Sequence, residues 1–206
     1  MLARNIVAIG SSSLFGLVDP KHGGYIGRLK TWHEANDVNN KVYNLGISGD
    51  TTSGMLKRLS NETSVRKPDL ILITTGLNDT RRVGSKESPS TTPIAQFEQN
   101  LKSLISEASR IAKVACVGVY PIDDSKTAPL FFWKKDYYYL MADAKDYERV
   151  TSEICKSENI PYLDIFNEWL RQDYANLLFE DGLHANELGH QKIFESLKQF
   201  LLDLYK

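Results

Sequence analysis

The stretch Leu70-Ile71-Leu72-Ile73 is continuously apolar and rich in β-branched side chains. A run of this kind is typical of a strand that is covered on both faces, and such strands belong to parallel sheets. Further short apolar runs lie along the rest of the chain, at residues 6–9, 42–47, 114–120 and 160–166. The central run and its companions therefore predict about five strands in a parallel sheet.

The segments between these runs carry apolar residues at helical spacing. The clearest stripe lies near the end of the chain and consists of Ile193, Phe194, Leu197, Phe200, Leu201 and Leu204. Similar stripes cover residues 25–33, 94–108 and 140–154. Asp50 is expected to cap a short helix that starts at Thr51. Because parallel strands need crossover connections, the pattern predicts an α/β fold, a three-layer α/β/α arrangement of flavodoxin-like type with about five parallel strands.

The composition narrows the function classes. With 206 residues, of which 42% are hydrophobic and 25% charged, the chain is expected to form one globular domain. A formal net charge of -1 does not suit a nucleic-acid binder. No apolar run approaches the roughly 18 residues of a membrane span, and the first ten residues do not resemble a signal peptide, which predicts a cytoplasmic protein without an integral membrane segment. Cys116 and Cys155 are too few for a disulfide framework or a zinc set.

Polar and glycine-rich blocks follow the apolar runs where the strands are predicted to end. The blocks are Gly10–Gly16, Asn44–Asp50, Gly76–Asp79 and, just before the last helix, Asp181–His184. In open parallel sheets the ligand sits at the carboxyl ends of the strands. The four blocks are therefore expected to meet at one edge of the sheet and to form the functional site.

The residue types in these blocks are those that nucleophilic catalysis needs. A serine becomes a nucleophile at neutral pH beside a base, and the base needs a group that fixes its tautomer. Asp181 and His184 are three positions apart, which lets the carboxylate reach one ring nitrogen while the other faces the cleft. Gly49 and Asn78 can offer N–H groups to a developing oxyanion. Taken alone, each block is better explained as a turn or a cap, and a metal pair of Asp181 and His184 lacks an evident third ligand.

Taken together and in this order, the blocks resemble those of the SGNH hydrolases, the GDSL-type esterase and lipase family. The resemblance runs from residue 6 to about 189 and implies a single SGNH-hydrolase-like domain over residues 1–206. It implies a serine hydrolase that cleaves small-molecule carboxylic esters through an acyl-enzyme, with no metal and no organic cofactor. The roles that it implies are Ser12 as nucleophile, His184 as base, Asp181 as the partner of the base, and Ser12, Gly49 and Asn78 as the oxyanion hole. The sequence does not indicate the oligomeric state.

The first block departs from the family pattern, because Gly-Ser-Ser-Ser stands where the family has Gly-Asp-Ser-Leu. Ser11 occupies the aspartate position, and Gly10 and Gly16 fix the register that selects Ser12 as the nucleophile. Since the acid of the implied triad is Asp181, the missing carboxylate is expected to affect mainly the local support of the turn. The departure also leaves open a catalytically weakened relative of the family.

A cluster of aromatic residues follows the fourth predicted strand and is expected to overhang the site. The cluster consists of Phe131, Phe132, Trp133, Tyr137, Tyr138 and Tyr139. Phe131, Phe132 and Trp133 are candidate substrate-binding residues, as the wall of an acyl or aryl pocket. Packing on the sheet edge or against a partner subunit explains the cluster equally well. Arg81 and Arg82 suit an anionic substrate, although a solvated surface is the better interpretation.

A non-catalytic alternative is a phosphate- or flavin-binding module of flavodoxin-like fold. A serine-rich loop at a helix N-terminus can cradle phosphate. Residues 10–16, however, match neither the dinucleotide-binding glycine pattern nor a P-loop, and this alternative leaves Asn78, Asp181 and His184 unexplained. A third interpretation is a scaffold whose partner binds the aromatic cluster.

Overall fold

Five parallel strands form the central sheet of the structure, a computed structural model that describes residues 2–206. The strands of the chain are β1 (Asn5–Gly10), β2 (Lys41–Gly46), β3 (Leu70–Thr74), β4 (Arg82–Val83), β5 (Lys113–Val117), β6 (Tyr137–Tyr138) and β7 (Tyr162–Leu163). The central sheet has the order β2-β1-β3-β5-β7, and β4 pairs with β6 in a separate two-stranded ribbon. The predicted three-layer α/β fold with five parallel strands is confirmed, and its strand order is the flavodoxin-like one.

Helices connect the strands and cover both faces of the sheet. The α-helices are α1 (Ser12–Phe15), α2 (Gly24–Asn36), α3 (Thr52–Ser64), α4 (Ile94–Ser109), α5 (Asp124–Thr127), α6 (Met141–Ser157), α7 (Ile165–Leu170) and α8 (Glu187–Leu204). Helices α2, α7 and α8 pack on one face, and α3, α4 and α6 pack on the other. Among the helices of residues 2–206, none combines the length and the apolar character that a bilayer crossing requires.

The side chains of β3 explain why its sequence is apolar without interruption. Leu70 and Leu72 lie in the core that α2 and α8 share with the sheet, whereas Ile71 and Ile73 lie in the core on the side of α3 and α4. All four are at most 1% exposed. Because successive strand side chains alternate between faces, a strand covered on both faces has no position left for a polar side chain.

Three predicted element boundaries differ from the structure, and one of them is the run at 114–120, whose strand ends at Val117. The helix after β2 is not short, since α3 has 13 residues, and Thr51 rather than Asp50 occupies its N-cap. The apolar run at 160–166 forms a strand only at Tyr162–Leu163. The strand ends there because Asp164 caps α7, which begins at the next residue.

The sequence patterns did not predict the ribbon of β4 and β6. Arg82 pairs with Tyr138 and Val83 pairs with Tyr137 in antiparallel register. Each strand has two residues, which is too short for an alternating pattern to be visible. The ribbon joins the loop after β3 to the aromatic cluster and fixes both above the carboxyl edge of the sheet.

Candidate active site

The candidate nucleophile lies at the start of a short helix directly after β1. Ser12 is the first residue of α1 and is 7% exposed. Gly16 follows the helix in the left-handed region, with φ +90°, and a Cβ at this position would collide with the backbone of Gly23. The tight turn therefore needs glycine at its end and holds Ser12 at the carboxyl edge of the sheet.

Ser12, His184 and Asp181 form one hydrogen-bonded line. Ser12 Oγ lies 2.9 Å from His184 Nε2, although the two residues are 172 positions apart. His184 Nδ1 lies 2.6 Å from Asp181 Oδ2. The loop that precedes α8 thus reaches the end of β1, and the structure brings the three predicted residues together in the order that a nucleophile, a base and its orienting acid require.

The serines on either side of Ser12 have other surroundings. Ser13 Oγ lies 2.8 Å from the Tyr120 hydroxyl, and this hydroxyl accepts a hydrogen bond from Ala185 N–H at 3.1 Å. Burial raises the pKa of Tyr120 to about 12, so its hydroxyl keeps its proton. Ser11 occupies the N-cap of α1 without capping it through its side chain. Tyr120 therefore joins the residue after Ser12 to the residue after His184, a link that the sequence did not indicate.

Both oxygens of Asp181 accept hydrogen bonds. Oδ1 accepts from the backbone N–H groups of Leu183 and His184, at 2.8 and 2.9 Å. Oδ2 lies beside His184 Nδ1 and also accepts from Trp133 Nε1 at 2.7 Å. Burial acts to raise the pKa of Asp181, but the hydrogen bonds and the charge of a protonated His184 outweigh it and hold the pKa below its ordinary value. Asp181 therefore stays ionised and fixes the orientation of the imidazole.

Three N–H donors belong to residues that line the pocket beside Ser12. The backbone N–H groups of Ser12 and Gly49 donate to no oxygen within residues 2–206. Gly49 has φ +82°, a conformation that glycine adopts without strain. Asn78 Nδ2 uses one hydrogen on the Asp50 carbonyl, at 3.0 Å, and keeps its second hydrogen available. These donors are the groups that a tetrahedral oxyanion would require.

Two buried side chains, Tyr139 and Asp79, hold Asn78 and the start of α3 in place, and the sequence did not assign a role to either of them. The Tyr139 hydroxyl donates to Asn78 Oδ1 at 3.0 Å and so fixes which end of the amide carries the oxygen. Asp79 accepts from the N–H of Thr52 and, at 2.6 Å, from its hydroxyl. Asp79 thereby ties the start of α3 to the loop after β3. Both residues lie in segments that the sequence marked, but their contacts depend on the folded chain.

The Ser12 hydroxyl faces a pocket of about 450 Å³. The site residues Ser12, Gly49, Asn78 and His184 form part of its wall. Apolar and aromatic side chains complete the wall, namely Leu17, Leu130, Trp133, Tyr137, Tyr139 and Leu183, together with Ser48 and the two cations Arg81 and Lys135. The arrangement can hold a small organic molecule with its reactive carbon next to Ser12.

Of the three candidate substrate-binding aromatics, the structure places Trp133 at the pocket. Its ring lies edge-on to the imidazole of His184, and its N–H binds Asp181. Phe131 is 74% exposed and Phe132 is 46% exposed, and neither belongs to the pocket wall. Phe132 instead packs edge-to-face against Phe179. The aromatic cluster thus divides into a part that lines the site and a part that lies outside it.

The remaining histidines and the cysteines lie away from the pocket. His33 is fully buried, and burial lowers the pKa of His190 to about 4. Cys116 and Cys155 are buried free thiols. Across residues 2–206, no group of three or more His, Cys, Asp or Glu side chains is arranged to hold a metal ion.

A sequence model of the GDSL-like Lipase/Acylhydrolase family matches residues 8–192. The acetylxylan esterase of Geobacillus stearothermophilus is 27% identical over 158 residues, which are 73% of this chain and 67% of that protein. Esterase TesA of Pseudomonas aeruginosa is 31% identical over 118 residues, which are 57% of this chain and 55% of that protein.

Among solved structures, the lipase/acylhydrolase from Enterococcus faecalis has a TM-score of 0.77 and 25% sequence identity, and the alignment covers 95% of this chain and 94% of that one. The similarity therefore extends over nearly the whole sheet and its flanking helices. It includes the strand ends from which the candidate site is built.

Proposed function

This chain belongs to the GDSL-like lipase/acylhydrolase family, and from that premise we propose that it is a serine hydrolase that cleaves carboxylic esters through an acyl-enzyme on Ser12. One observation carries the proposal. Ser12 Oγ is 2.9 Å from His184 Nε2, while the other ring nitrogen is 2.6 Å from a buried Asp181 carboxylate. A turn, a cap or a phosphate-binding loop needs no such line of three groups.

The first half of the reaction forms the acyl-enzyme. Asp181 keeps the ring proton on His184 Nδ1, so that the lone pair of Nε2 faces Ser12 Oγ. Oγ attacks the acyl carbon, its proton passes to Nε2, and the π electrons of the carbonyl move onto the oxygen. Asp181 stabilises the imidazolium that results.

The oxyanion of this intermediate is bound by the N–H groups of Ser12, Gly49 and Asn78. A donor of this kind typically contributes about 2.7–4 kcal/mol to lowering the barrier. The intermediate then collapses, because His184 gives its proton to the departing alcohol oxygen and the bond from the acyl carbon to that oxygen breaks. The acyl group remains on Ser12.

The second half of the reaction restores the enzyme. His184 Nε2 removes a proton from a water molecule, which attacks the acyl carbon of the acyl-enzyme. Collapse of the second oxyanion intermediate returns the proton to Ser12 Oγ and releases the carboxylic acid. The protein groups suffice for each proton transfer in this scheme.

Serine at position 11 is compatible with an active enzyme rather than a weakened one. Ser11 makes no side-chain cap contact, and the line from Ser12 to Asp181 forms without a carboxylate at position 11. The electrostatic support of His184 comes from Asp181. The family aspartate is therefore not part of the proton-transfer path that we propose.

The experiment that tests the proposal is a series of 4-nitrophenyl esters of increasing acyl length, hydrolysed by the wild type and by Ser12→Ala. We expect Ser12→Ala to lose at least about 10³-fold in kcat, because the nucleophile is gone. A fluorophosphonate should label the wild type at Ser12 and leave the variant unlabelled.

Ser11→Ala is the matched control, since it removes a hydroxyl one position away that contacts neither His184 nor Asp181. It should keep most of the activity and the labelling. Hydrolysis by Ser12→Ala at the wild-type rate would contradict the mechanism. Bound flavin or phosphate in the purified protein, with no labelling of Ser12, would support the alternative binding module.

A further inference from the structure

Two positive side chains lie in the wall of the Ser12 pocket. Arg81 is half-buried and Lys135 is exposed, and both belong to the pocket wall together with the site residues. Within residues 2–206, no Asp or Glu side chain is part of this wall. Two cations and no acidic side chain thus line this pocket, in a chain whose net charge is -1.

The position of Arg81 is fixed by its surroundings. Its carbonyl accepts from the N–H and the hydroxyl of Thr91, at 2.7 and 2.8 Å. Its guanidinium lies over the ring of Tyr137, 4.8 Å from the ring centre. Nε donates to Thr91 Oγ1 at 3.4 Å, and the guanidinium also faces the Tyr139 hydroxyl, on whose pKa it acts. The charged end of Arg81 is thus held in place by neutral and aromatic groups.

The ribbon separates the two cations along the pocket wall. Arg82 pairs with Tyr138 and Val83 pairs with Tyr137, so Arg81 precedes the ribbon at one end and Lys135 precedes it at the other. Both side chains nevertheless line the same pocket.

The neighbouring Arg82 differs from Arg81. Arg82 forms a bidentate pair with Asp143, at 2.7 and 2.8 Å. Across residues 2–206, neither Arg81 nor Lys135 has a carboxylate within 4.0 Å. Arg81 is half-buried in a pocket and has no anionic partner there. Two unpaired cations in a concave site indicate a ligand that brings the negative charge.

We infer that the esters cleaved at Ser12 carry an anionic group, a carboxylate or a phosphate, that Arg81 and Lys135 bind. This inference rests on the proposed ester hydrolysis. The planar guanidinium suits the paired oxygens of either anion, and the flexible ammonium of Lys135 adds a point charge. The anion is carried by the acyl part or by the alcohol part of the ester, and the probes below separate the two.

The test compares anionic esters with neutral esters of similar shape. The acyl arm pairs mono-4-nitrophenyl glutarate with 4-nitrophenyl valerate. The alcohol arm pairs 4-acetoxybenzoate with its methyl ester, and a phosphate arm pairs 4-acetoxyphenyl phosphate with phenyl acetate. The quantity measured is kcat/KM of the anionic ester divided by that of its neutral partner, at low and at high ionic strength.

We expect Arg81→Gln to lower this ratio about tenfold in at least one arm, because a partly buried, charge-assisted hydrogen bond is lost. Lys135→Gln should lower it about threefold, since an exposed charge is screened by water. Lys86→Gln is the matched control. Lys86 is exposed and lies outside the pocket wall. Its substitution removes the same charge from the chain and should leave the ratio unchanged. Added salt should reduce the wild-type ratio in the same arm.

The arm in which the ratio falls identifies the part of the ester that carries the anion. Equal ratios for the wild type, Arg81→Gln and Lys135→Gln in every arm would overturn the inference while leaving ester hydrolysis in place. Failure of the wild type to cleave any of the six esters, or cleavage by Ser12→Ala at the wild-type rate, would instead overturn the proposed function and the inference with it.

Discussion

Asp181 and Glu148 are two buried carboxyl groups near the carboxyl edge of the sheet, and they differ in charge. Asp181 is 0% exposed and Glu148 is 4% exposed, so burial alone does not distinguish them. The pKa of Asp181 lies below its ordinary value, whereas burial raises the pKa of Glu148 from 4.5 to about 8. At neutral pH the first group is a carboxylate and the second is a neutral acid.

The difference comes from the donors around each group. Asp181 receives two backbone N–H groups, the N–H of Trp133 and the imidazole of His184. Glu148 receives a single N–H, from Val119 at 3.2 Å, and its other oxygen has no hydrogen-bond partner within the described residues. At Asp181, hydrogen-bond donors that favour the charged form compensate for the hydration lost on burial. At Glu148, the single donor does not compensate for it.

A third buried carboxyl group, Asp79, also shows that the surrounding donors decide the charge. It receives more donors than Glu148 but has no imidazole beside it. It accepts from the N–H and the hydroxyl of Thr52 and lies near the Thr75 hydroxyl. Burial nevertheless raises the pKa of Asp79. Neutral donors without a cationic partner are thus not enough here, and it is the imidazole that sets Asp181 apart. The comparison supports the proposed role of Asp181 as a charged partner of His184, whereas Glu148 has no partner that would keep it charged.

The largest effect that would test this comparison is expected for Asp181→Asn. The amide oxygen can still accept from Leu183 and His184, but the NH₂ group would face donors on His184 and Trp133. Loss of the carboxylate leaves the wrong imidazole tautomer and an unsupported imidazolium, and kcat for a 4-nitrophenyl ester should fall about 10⁴-fold. The measurement is kcat at neutral pH, with the melting temperature as the measure of folding.

Glu180→Gln is the matched control, because Glu180 is the exposed neighbour of Asp181. It should retain wild-type kcat. If a folded Asp181→Asn enzyme kept its activity, the charge of Asp181 would have no part in catalysis, and the difference between the two carboxyl groups would be without functional meaning.

The second test is Glu148→Gln, which should stabilise the protein in a pH-dependent way. The unfolded chain releases the Glu148 proton near pH 4.5, whereas the folded state keeps it until about pH 8. Over this range the unfolded state binds fewer protons, so the wild-type free energy of unfolding falls as pH rises. Glutamine does not titrate, and the variant should gain about 4 kcal/mol over the wild type by pH 8 and nothing from this source below pH 4.5.

Urea unfolding at a series of pH values measures this gain. Glu153→Gln, on the exposed side of the same helix α6, is the control and should change stability by no more than about 0.5 kcal/mol at any pH. A constant difference between Glu148→Gln and the wild type across the pH range would show that Glu148 is ionised in the folded protein, contrary to the comparison.

The smallest effect is expected for Trp133→Phe, which keeps an aromatic ring and removes one donor from Asp181. The carboxylate retains its other partners, so kcat should fall about tenfold for an acetyl and a longer acyl ester alike. Trp133→Ala removes the ring as well and should additionally change the preference for acyl length, measured as kcat/KM over a series of 4-nitrophenyl esters. Equal effects of the two substitutions on every ester would mean that the ring does not shape the acyl pocket.

The sequence by itself determined the layers of this fold and the segments that form its site. The run at 70–73 predicted a doubly covered strand, because the burial of β-strand side chains is visible in the order of apolar residues. The blocks at the strand ends resemble the SGNH family pattern, and this resemblance pointed to Ser12, Gly49, Asn78, Asp181 and His184 as candidates. These signals extend over a few residues and need no knowledge of distant contacts.

The tertiary structure decided which of these groups touch. It set Ser12 against a histidine 172 positions away, turned Trp133 rather than Phe131 or Phe132 to the pocket, and placed Arg81 and Lys135 in one pocket wall. It also left one buried carboxyl group ionised and the other neutral. Such outcomes depend on distances and donors between segments that are remote in the chain, and local patterns of residues carry no record of them.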